Sequence, residues 1–333
     1  GGCSILYISH KLHEIKALCD SVTVLRGGRV IGTCDPRQET EASMARLMVG
    51  EEVVTCRASE SEVVGLEALT VRGLSHAAED IFGTDLQDIS LTVHSGEILG
   101  IAGVSGNGQQ ELLGLLSGET RARDAATIHL LGTPAGHLDA AGRRQRGLCF
   151  VPEERLGRGA VPGMSLLENT LLTAYGHGMV SHGLIEGATV GRYTQRCIDE
   201  FGVKCGGPQA LADSLSGGNL QKFIVGREML QNPKVLVVAQ PTWGVDVQAS
   251  AFIRHALIGL RDQGVGILVI SDDLDELFEI SDRIAVIAGG RLSQAKRRQD
   301  TDTEEIGLWM SGLWPGADPA ARPDGKDEVR HVA

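Results

Sequence analysis

The feature that most constrains the fold is an apolar strand that runs directly into a glycine-rich loop and a helix. Residues 97–102 (EILGIA) have the composition of a buried strand, and Gly103-Val104-Ser105-Gly106-Asn107-Gly108 follows at once. Helical character begins after this loop, at residues 111–116. Glycines in such a turn let backbone amides close around an anion. The order strand, loop, helix therefore predicts a phosphate-binding loop at Gly103, Gly106 and Gly108.

This loop and the next buried strand lack the charged groups that phosphate hydrolysis uses. A hydrolytic loop of this pattern ends in Lys followed by Ser or Thr, whereas Gln109 and Gln110 stand here. Without the lysine we expect nucleotide binding to weaken roughly tenfold or more, because hydrogen bonds to charged groups contribute about 1.5–3 kcal/mol. The strand 234–239 (KVLVVA) ends in Ala239 and is followed by Gln240, in place of an Asp-Glu pair that would hold magnesium and polarise water. Hydrolysis is therefore not expected at this site.

A second anion-binding pattern lies at residues 215–222 (LSGGNLQK). Ser216, Gly217 and Gly218 precede a run with helical spacing, so they mark the N-terminus of a helix. The first amides of a helix have no intrahelical partner, which favours a phosphate ligand there. The plainer alternative is that Ser216 is an ordinary N-cap beside a flexible turn.

An internal repeat divides the chain. Residues 5–9 (ILYIS), followed by His10, match residues 267–271 (ILVIS), followed by Asp272, at an offset of 272 − 10 = 262. Both apolar runs predict buried parallel strands that lead into a helix. An imidazole at the strand end donates to a phosphate, whereas the carboxylate of Asp272 repels it. The second copy thus lacks a further group that phosphate chemistry needs.

The offset predicts a truncated first module and a complete second one. The counterpart of Gly103 falls at 103 − 262 = −159 and that of Ser216 at 216 − 262 = −46, both upstream of Gly1. Because the chain begins with Gly1 and not Met, we expect a fragment, with a lysine-bearing phosphate loop at the upstream position that the offset gives. The expected division is a first-module end at 1–50, a linker at 51–63, a second module at 64–310 and a disordered tail at 311–333.

Strands and helices alternate within the second module, which indicates an α/β fold with a parallel sheet. Two alternating segments, 64–69 and 89–93, predict strands of a small antiparallel sheet. Residues 156–196 carry helical segments and little β patterning, which predicts a helical part.

The composition is that of an acidic globular protein from a reducing compartment. The formal net charge of −12 argues against a general nucleic-acid surface, and Arg143, Arg144 and Arg146 are interpreted as a solvated face. The 7 cysteines include no CxxC pair and the histidines show no ligand spacing, so neither a disulfide framework nor a metal site is expected. No run approaches the roughly 18 apolar residues that cross a bilayer, so any membrane association requires a partner.

Taken together, four motifs resemble those of ATP-binding cassette (ABC) proteins. They are the glycine loop, LSGGNLQK, Pro241-Thr242-Trp243-Gly244-Val245-Asp246 and the strand that ends in Ser9-His10. With Val151-Pro152-Glu153-Glu154-Arg155 included, the chain is similar to the double-cassette subunits of importers for simple sugars and nucleosides. The resemblance implies a RecA-like P-loop NTPase core with a parallel sheet, a small antiparallel β subdomain and a helical subdomain.

The resemblance also implies roles for individual residues. Two cassettes of this family face each other head to tail, and each ATP lies between the phosphate loop of one cassette and the signature of the other. The signature residues that contact the opposite ATP would be Ser216, Gly217, Gly218 and Gln221. His10 would be the catalytic switch residue of that competent site, and Asp246 would lie in the loop that crosses towards the opposite site. The degenerate site of the second module would comprise Gly103, Gly106, Gly108, Gln109, Gln110, Ala239, Gln240 and Asp272.

Cofactors and partners follow from the same resemblance. ATP and Mg²⁺ would act mainly at the site that the missing half of the first cassette completes. The implied partners are transmembrane permease subunits, a periplasmic or lipoprotein solute-binding protein and the first cassette, and no nucleic acid. The chain would be cytoplasmic and would bind the inner face of the cell membrane peripherally, through the permease.

Two other functions stay open from the sequence. The lost groups favour a regulatory cassette that binds nucleotide without hydrolysing it. A soluble ABC protein of DNA repair or translation is the second alternative, although such proteins typically carry long coiled-coil or basic insertions, and none occurs in this sequence.

Overall fold

A computed structural model of the chain describes residues 3–8, 12–26, 29–40, 43–44, 47 and 65–315. His10, the predicted linker 51–63 and residues 316–333 lie outside these ranges. Of the predicted tail, residues 311–315 are described, and Trp314 packs against the hydrophobic core instead of standing free in solvent.

Residues 12–34 repeat an order of elements that recurs 262 positions later. The helix Leu12–Leu18 (α1) is followed by the antiparallel strands Val22–Arg26 (β1) and Arg29–Cys34 (β2). Adding 262 to their first residues gives 12 + 262 = 274, 22 + 262 = 284 and 29 + 262 = 291, which fall in Leu274–Ile280, Arg283–Ala288 and Arg291–Leu292. The repeat seen in the sequence therefore extends to secondary structure.

The predicted buried strand at residues 5–9 is wrong for this chain. Residues 3–8 form neither helix nor strand, and Ile5, Leu6 and Ile8 are 85%, 90% and 89% exposed. The counterpart run 267–270 hydrogen-bonds to a parallel strand on each side. A parallel strand depends on such neighbours, and within the described ranges no strand pairs with residues 5–8.

The strands of residues 65–315 form a core sheet, a smaller antiparallel sheet and a short hairpin. In chain order they are Glu67–His76 (β3), Leu86–His94 (β4), Ile98–Ala102 (β5), Ile128–Leu130 (β6), Thr133–Pro134 (β7), Leu148–Val151 (β8), Val180–Ser181 (β9), Leu184–Ile185 (β10), Val235–Ala239 (β11), Gly266–Ser271 (β12), Arg283–Ala288 (β13), Arg291–Leu292 (β14) and Lys296–Arg297 (β15). The helices are Gln109–Ser117 (α2), Ala140–Gln145 (α3), Leu166–Ala174 (α4), Gly187–Glu200 (α5), Gly217–Met229 (α6), Val247–Asp262 (α7), Leu274–Ile280 (α8) and Thr303–Met310 (α9).

The core sheet has five parallel strands in the order β13-β5-β12-β11-β8, and β14 and β15 pair antiparallel with β13. Every residue of β5, β11 and β12 is buried, as expected for apolar strands covered on both faces. One face packs against α6, α7 and α8, and the other packs against α2 and the antiparallel sheet β4-β3-β6-β7. The predicted α/β fold with a parallel sheet and a small antiparallel sheet is confirmed.

The helical part lies between β8 and β11. Within residues 156–196, the helices α4 and α5 form as expected and pack on each other, whereas the short hairpin β9-β10 between them was not predicted. The helix α4 starts with a capping box, in which the Ser165 hydroxyl accepts from the Glu168 amide and the Glu168 carboxylate accepts from the Ser165 amide.

The parallel register brings four loops to one edge of the core sheet. Ala102 at the end of β5 lies opposite Ser271 of β12, and Ala239 of β11 lies opposite Ile270. Val151 at the end of β8 lies opposite Val238. The segments that follow these strands therefore meet at the carboxyl edge, which is where parallel α/β sheets place their ligand sites.

The prediction that the arginines at 143–146 form a solvated face is wrong for two of the three. Arg143 is buried, and its guanidinium donates to the carbonyls of Leu115 and, at 2.7 Å, Leu116. These carbonyls belong to the last turn of α2, which lacks intrahelical donors. Arg144 pairs with the buried carboxylate of Glu228 at 2.5 Å. A run of arginines in the sequence does not show such partners, because they come from distant segments.

Candidate functional site

The predicted phosphate-binding loop connects β5 to α2. Gly106 and Gly108 have φ values of 87° and 103°, in the left-handed region that favours glycine. A Cβ atom built on Gly108 would lie 2.8 Å from Cδ2 of Leu86, so a larger residue would also clash. The Thr84 hydroxyl donates to the Gly106 carbonyl at 2.7 Å and holds the turn from outside.

The side chain of Gln109 folds back over the loop. Its Nε2 donates to the Val104 carbonyl at 2.8 Å, and its Oε1 accepts from the Asn107 amide at 2.9 Å. The Asn107 amide, which an anion would otherwise use, is therefore already bonded. Gln109 supplies an internal hydrogen-bond partner to the loop and no positive charge.

A small cleft of about 30 Å³ lies beside the loop. Gln110, Glu153 and Gln240 contribute side chains to it, together with residues of the loop and of β12. This space admits about two water molecules, since one water occupies roughly 10–15 Å³ on this measure.

The end of β11 presents no carboxylate to the cleft. Ala239 is the last residue of the strand, and Gln240 follows with a φ of 47°. Gln240 Oε1 is 3.4 Å from both the Ser271 hydroxyl and the Asp272 amide, which donate to it. The structure thus brings Ala239, Gln240 and Asp272 together at the end of β11, as predicted. These two hydrogen bonds come from an amide and a hydroxyl group, and neither involves a carboxylate.

The residues of this cleft do not fit Mg²⁺. Magnesium takes oxygen ligands, usually one or two carboxylates together with phosphates and water. Ala239 offers no ligand atom, and an amide replaces the hydroxyl expected at Gln110. Across the described ranges, no group of three or more His, Cys, Asp or Glu side chains is arranged to hold a metal ion.

Glu153 brings negative charge to the cleft. Burial raises the pKa of this carboxyl, and the neighbouring charges of Asp272 and Glu154 raise it further, against an opposing effect of Arg158. Glu154 itself is exposed, so the two adjacent glutamates do not line the cleft together. A nucleotide that enters the cleft meets an acidic wall, which disfavours its phosphates.

Glu276, a residue that its sequence context did not single out, is buried behind the cleft. Its Oε2 accepts from the Ser271 hydroxyl at 2.9 Å, and its Oε1 lies 3.9 Å from Nε of Arg254. Burial raises the pKa of Glu276 to about 7, although a hydrogen bond from Thr242 and the charge of Arg254 oppose the shift. The sequence carried one signal that Glu276 is buried, because Glu276 and Ile280 have the i, i+4 spacing of the buried face of α8.

The pKa of Glu276 is raised from its ordinary value of 4.5 to about 7. We therefore expect the free energy of unfolding to fall as the pH rises through this range. The folded state binds the proton more tightly than the unfolded state, so this contribution is present at low pH and is lost as the carboxyl ionises. Replacing Glu276 with glutamine should remove most of this pH dependence. Urea midpoints measured at about pH 5 and pH 8 test it, with Glu200→Gln at an exposed position of α5 as the control. An equal loss of midpoint in wild type and Glu276→Gln would exclude Glu276 as the cause.

The predicted signature opens α6. Ser216 has the extended φ and ψ of an N-cap, −64° and 154°, but its hydroxyl makes no cap hydrogen bond. The hydroxyl instead accepts from Nδ2 of Asn219 at 2.8 Å. Ser216 is therefore the N-cap residue by position, as the plainer alternative has it, but its side chain does not cap the helix. The first amides of α6, which have no intrahelical partner, remain available beside Gly217 and Gly218.

Gln221 does not face this helix end, contrary to the role that the resemblance implied. Its side chain is buried, and Nε2 donates to the Pro241 carbonyl at 3.0 Å. One turn into the helix, the side chain is buried against the loop at Pro241 and does not lie at the helix end.

The loop 240–246 lies against the signature. A Cβ atom built on Gly218 would be 3.4 Å from Oδ2 of Asp246, which shows how close the two segments are. Asp246 caps α7, because its Oδ1 accepts from the Ala249 amide at 2.8 Å. The residue predicted to lie in a crossing loop thus also fixes the start of a helix beside the signature.

Phe82 is a further candidate that the motifs did not indicate. Its side chain is 89% exposed in the loop before β4, two residues from the contact between Thr84 and the glycine loop. An exposed aromatic ring at such a place is suited to stacking on a nucleobase. A lone aromatic residue in a loop gives no periodic signal, so the sequence did not mark it.

Comparison with known proteins agrees with this geometry. The ABC transporter family matches residues 86–243. The glucose import ATP-binding protein TsgD13 of Haloferax volcanii is 37% identical over 314 residues, which are 93% of this chain and 57% of that protein. The guanosine import ATP-binding protein NupO of Bacillus subtilis is 39% identical over 313 residues, 93% of this chain and 61% of that protein. The chain thus spans about three fifths of the length of these relatives.

Solved structures show the same fold. The post-hydrolysis dimer of the ATP-binding cassette MJ0796 bound to ADP and phosphate superposes with a TM-score of 0.59 at 20% identity, covering 69% of this chain and 98% of that one. An ATP-binding subunit of an ABC transporter superposes with a TM-score of 0.60 at 20% identity, covering 73% and 99%. This chain therefore contains an ATPase domain of the ABC transporter family, close in sequence to the ATP-binding proteins of sugar and nucleoside importers.

Proposed function

We propose that this chain is part of the ATPase of an importer for simple sugars or nucleosides, and that it lends its signature helix to an ATP held by another cassette. One observation carries the proposal. The N-terminus of α6 keeps its first amides uncapped, whereas the cleft beside the chain's own phosphate loop has no carboxylate at its strand end. The N-terminus of α6 can thus bind a phosphate of an ATP that another cassette holds, and we call it the half-site of this chain. The cleft beside the chain's own phosphate loop lacks the groups to hydrolyse ATP.

The chain's own cleft is accordingly proposed to be catalytically silent. The side chain of Gln109 occupies the loop, Ala239 cannot hold magnesium, and the amide of Gln240 cannot accept a proton. Glu153 adds a negative charge next to the position of the phosphates. Any nucleotide bound here would have a structural or regulatory role, with Phe82 as the group available to stack on its base.

The competent site is proposed to form between the signature and a first cassette, with His10 as its switch residue. Phosphoryl transfer to water needs positioning and charge neutralisation, which the helix N-terminus, ATP-bound Mg²⁺ and a lysine-bearing loop would share. The greater length of the curated relatives supports this arrangement, since it leaves room for such a cassette. The division into a first-cassette end at 1–50, a linker at 51–63 and a second cassette at 64–310 belongs to the same proposal.

The proposed partners are permease subunits in the membrane and a solute-binding protein. In the described part of the chain, no helix is long and apolar enough to cross a bilayer. The proposed location is therefore the cytoplasmic face of the cell membrane, with the permease as the attachment.

Affinity purification from detergent-solubilised membranes tests the proposal. We expect the tagged chain, expressed in its own cells within its natural reading frame, to recover integral membrane permease subunits identified by mass spectrometry. Recovery of ribosomes or DNA in place of permease subunits would contradict the proposal and favour a soluble ABC protein.

A further inference from the structure

Arg155 connects three segments of the functional site that are far apart in the sequence. It lies four residues after the end of β8, and its guanidinium donates to the carbonyls of Trp243 and, at 3.5 Å, Gly244. The same group lies 5.8 Å from the centre of the Trp243 ring. A planar guanidinium can make both contacts at once, because it donates in its plane and stacks with its face.

The other side of the guanidinium faces the signature. A Cβ atom built on Gly217 would stand 2.7 Å from Nη1 of Arg155, and one built on Gly244 would stand 3.1 Å from Nη2. A side chain at position 217 would therefore force the guanidinium to shift from its present place. The glycines of the signature and of the turn at 244 therefore accommodate the arginine as well as exposing backbone amides.

The charge of Arg155 has no ionic partner in the described part of the chain. No carboxylate there lies within ion-pairing distance, and partial burial lowers the pKa of the guanidinium. Its neighbour Arg158, by contrast, pairs with Glu119. Arg155 is thus held in place by carbonyl groups and an aromatic ring alone, both from the loop that lies on the signature.

Building on the proposed function, we propose that Arg155 is a positioning residue that fixes the turn at Trp243-Gly244 against Gly217. It thereby links the segment after β8 to the half-site for the opposite ATP. A movement of the segment after β8 would be transmitted through the guanidinium to the loop and the helix end that meet this ATP. The contact itself exists in this chain without nucleotide or partner.

Trp243 provides a direct readout of the contact. The chain has 3 tryptophans, so the double variant Trp309→Phe/Trp314→Phe leaves Trp243 as the only one. Trp243 is 61% exposed, and loss of the stacked guanidinium should expose it further. We expect Arg155→Gln to raise the acrylamide quenching constant of Trp243 towards that of a free tryptophan derivative.

Two variants make this test specific. Gly217→Ala should displace the guanidinium from the opposite side and produce the same increase in quenching. Arg158→Gln removes a neighbouring arginine that does not touch the loop and should leave Trp243 unchanged. Equal quenching in wild type and Arg155→Gln would overturn the inference, whatever the chain's activity proves to be.

The catalytic consequence is measured in the longer two-cassette protein. Arg155→Gln should lower kcat about tenfold, the effect of losing one hydrogen bond to a charged group, with little change in the KM for ATP. Arg155→Lys should not restore the rate, because an ammonium cannot donate to both carbonyls and stack as a plane. An unchanged kcat despite altered Trp243 quenching would contradict the transmission of movement while leaving the proposed importer ATPase intact.

Discussion

Replacing Glu228 with alanine is expected to destabilise the folded protein by about 3–5 kcal/mol, the usual effect of removing one partner from a buried ion pair. Glu228 is buried in α6, where its carboxylate accepts from Arg144 at 2.5 Å and from Arg227 at 3.0 Å. Burial acts to raise the pKa of this carboxyl, but the two guanidiniums outweigh it and hold the pKa below its usual range. Without the carboxylate, two positive charges would remain in a largely dry interior.

Urea unfolding, followed by circular dichroism, measures this loss. The matched control is Glu200→Ala, which removes an exposed pair with Arg196 on α5 and should cost about 0.5 kcal/mol or less. A similar loss in both variants would mean that the buried carboxylate contributes no more than a surface one. The large expected difference follows from burial, since both glutamates contact an arginine at hydrogen-bond distance.

Gly218→Asp is expected to lower ATP turnover of the proposed two-cassette protein about 100-fold or more, comparable to losing a donor to a developing negative charge. The new carboxylate would occupy the amides at the start of α6 and repel a phosphate group. A negative charge is favourable for a helix at this end, but a Cβ atom at 218 lies 3.4 Å from Oδ2 of Asp246, so the thermal midpoint of the variant has to be compared with that of wild type.

The control for this variant is Gly206→Asp, which adds the same charge at an exposed glycine with open space around its Cβ position. We expect this variant to retain wild-type turnover. Equal turnover in Gly218→Asp and Gly206→Asp would contradict the assignment of the signature as a phosphate half-site.

The features that could be predicted from the sequence are local. The glycine loop, the buried strands at 97–102 and 267–271 and the start of α6 each follow from a short pattern of apolar and glycine residues. The sequence alone also shows that Gln109 and Gln240 carry no charge. These predictions needed no knowledge of which segments touch.

The features that were missed depend on contacts between distant segments. Arg155 meets Trp243 across 88 positions of the chain, and Arg144 meets Glu228 across 84. The strand expected at residues 5–9 also failed for this reason, because a parallel strand forms only where neighbours supply its hydrogen bonds. The resemblance implied that Gln221 lies at the helix end, whereas its side chain is buried. A sequence motif does not show which of its residues face the core.

We propose that this chain supplies a half-site to another cassette and does not hydrolyse ATP at its own phosphate loop. Phosphate release by the purified chain alone, with ATP and Mg²⁺ in excess, tests that claim most directly. We expect turnover no higher than in a protein-free blank. Turnover that Gln240→Ala abolishes would show that the chain's own cleft hydrolyses ATP and would contradict the account.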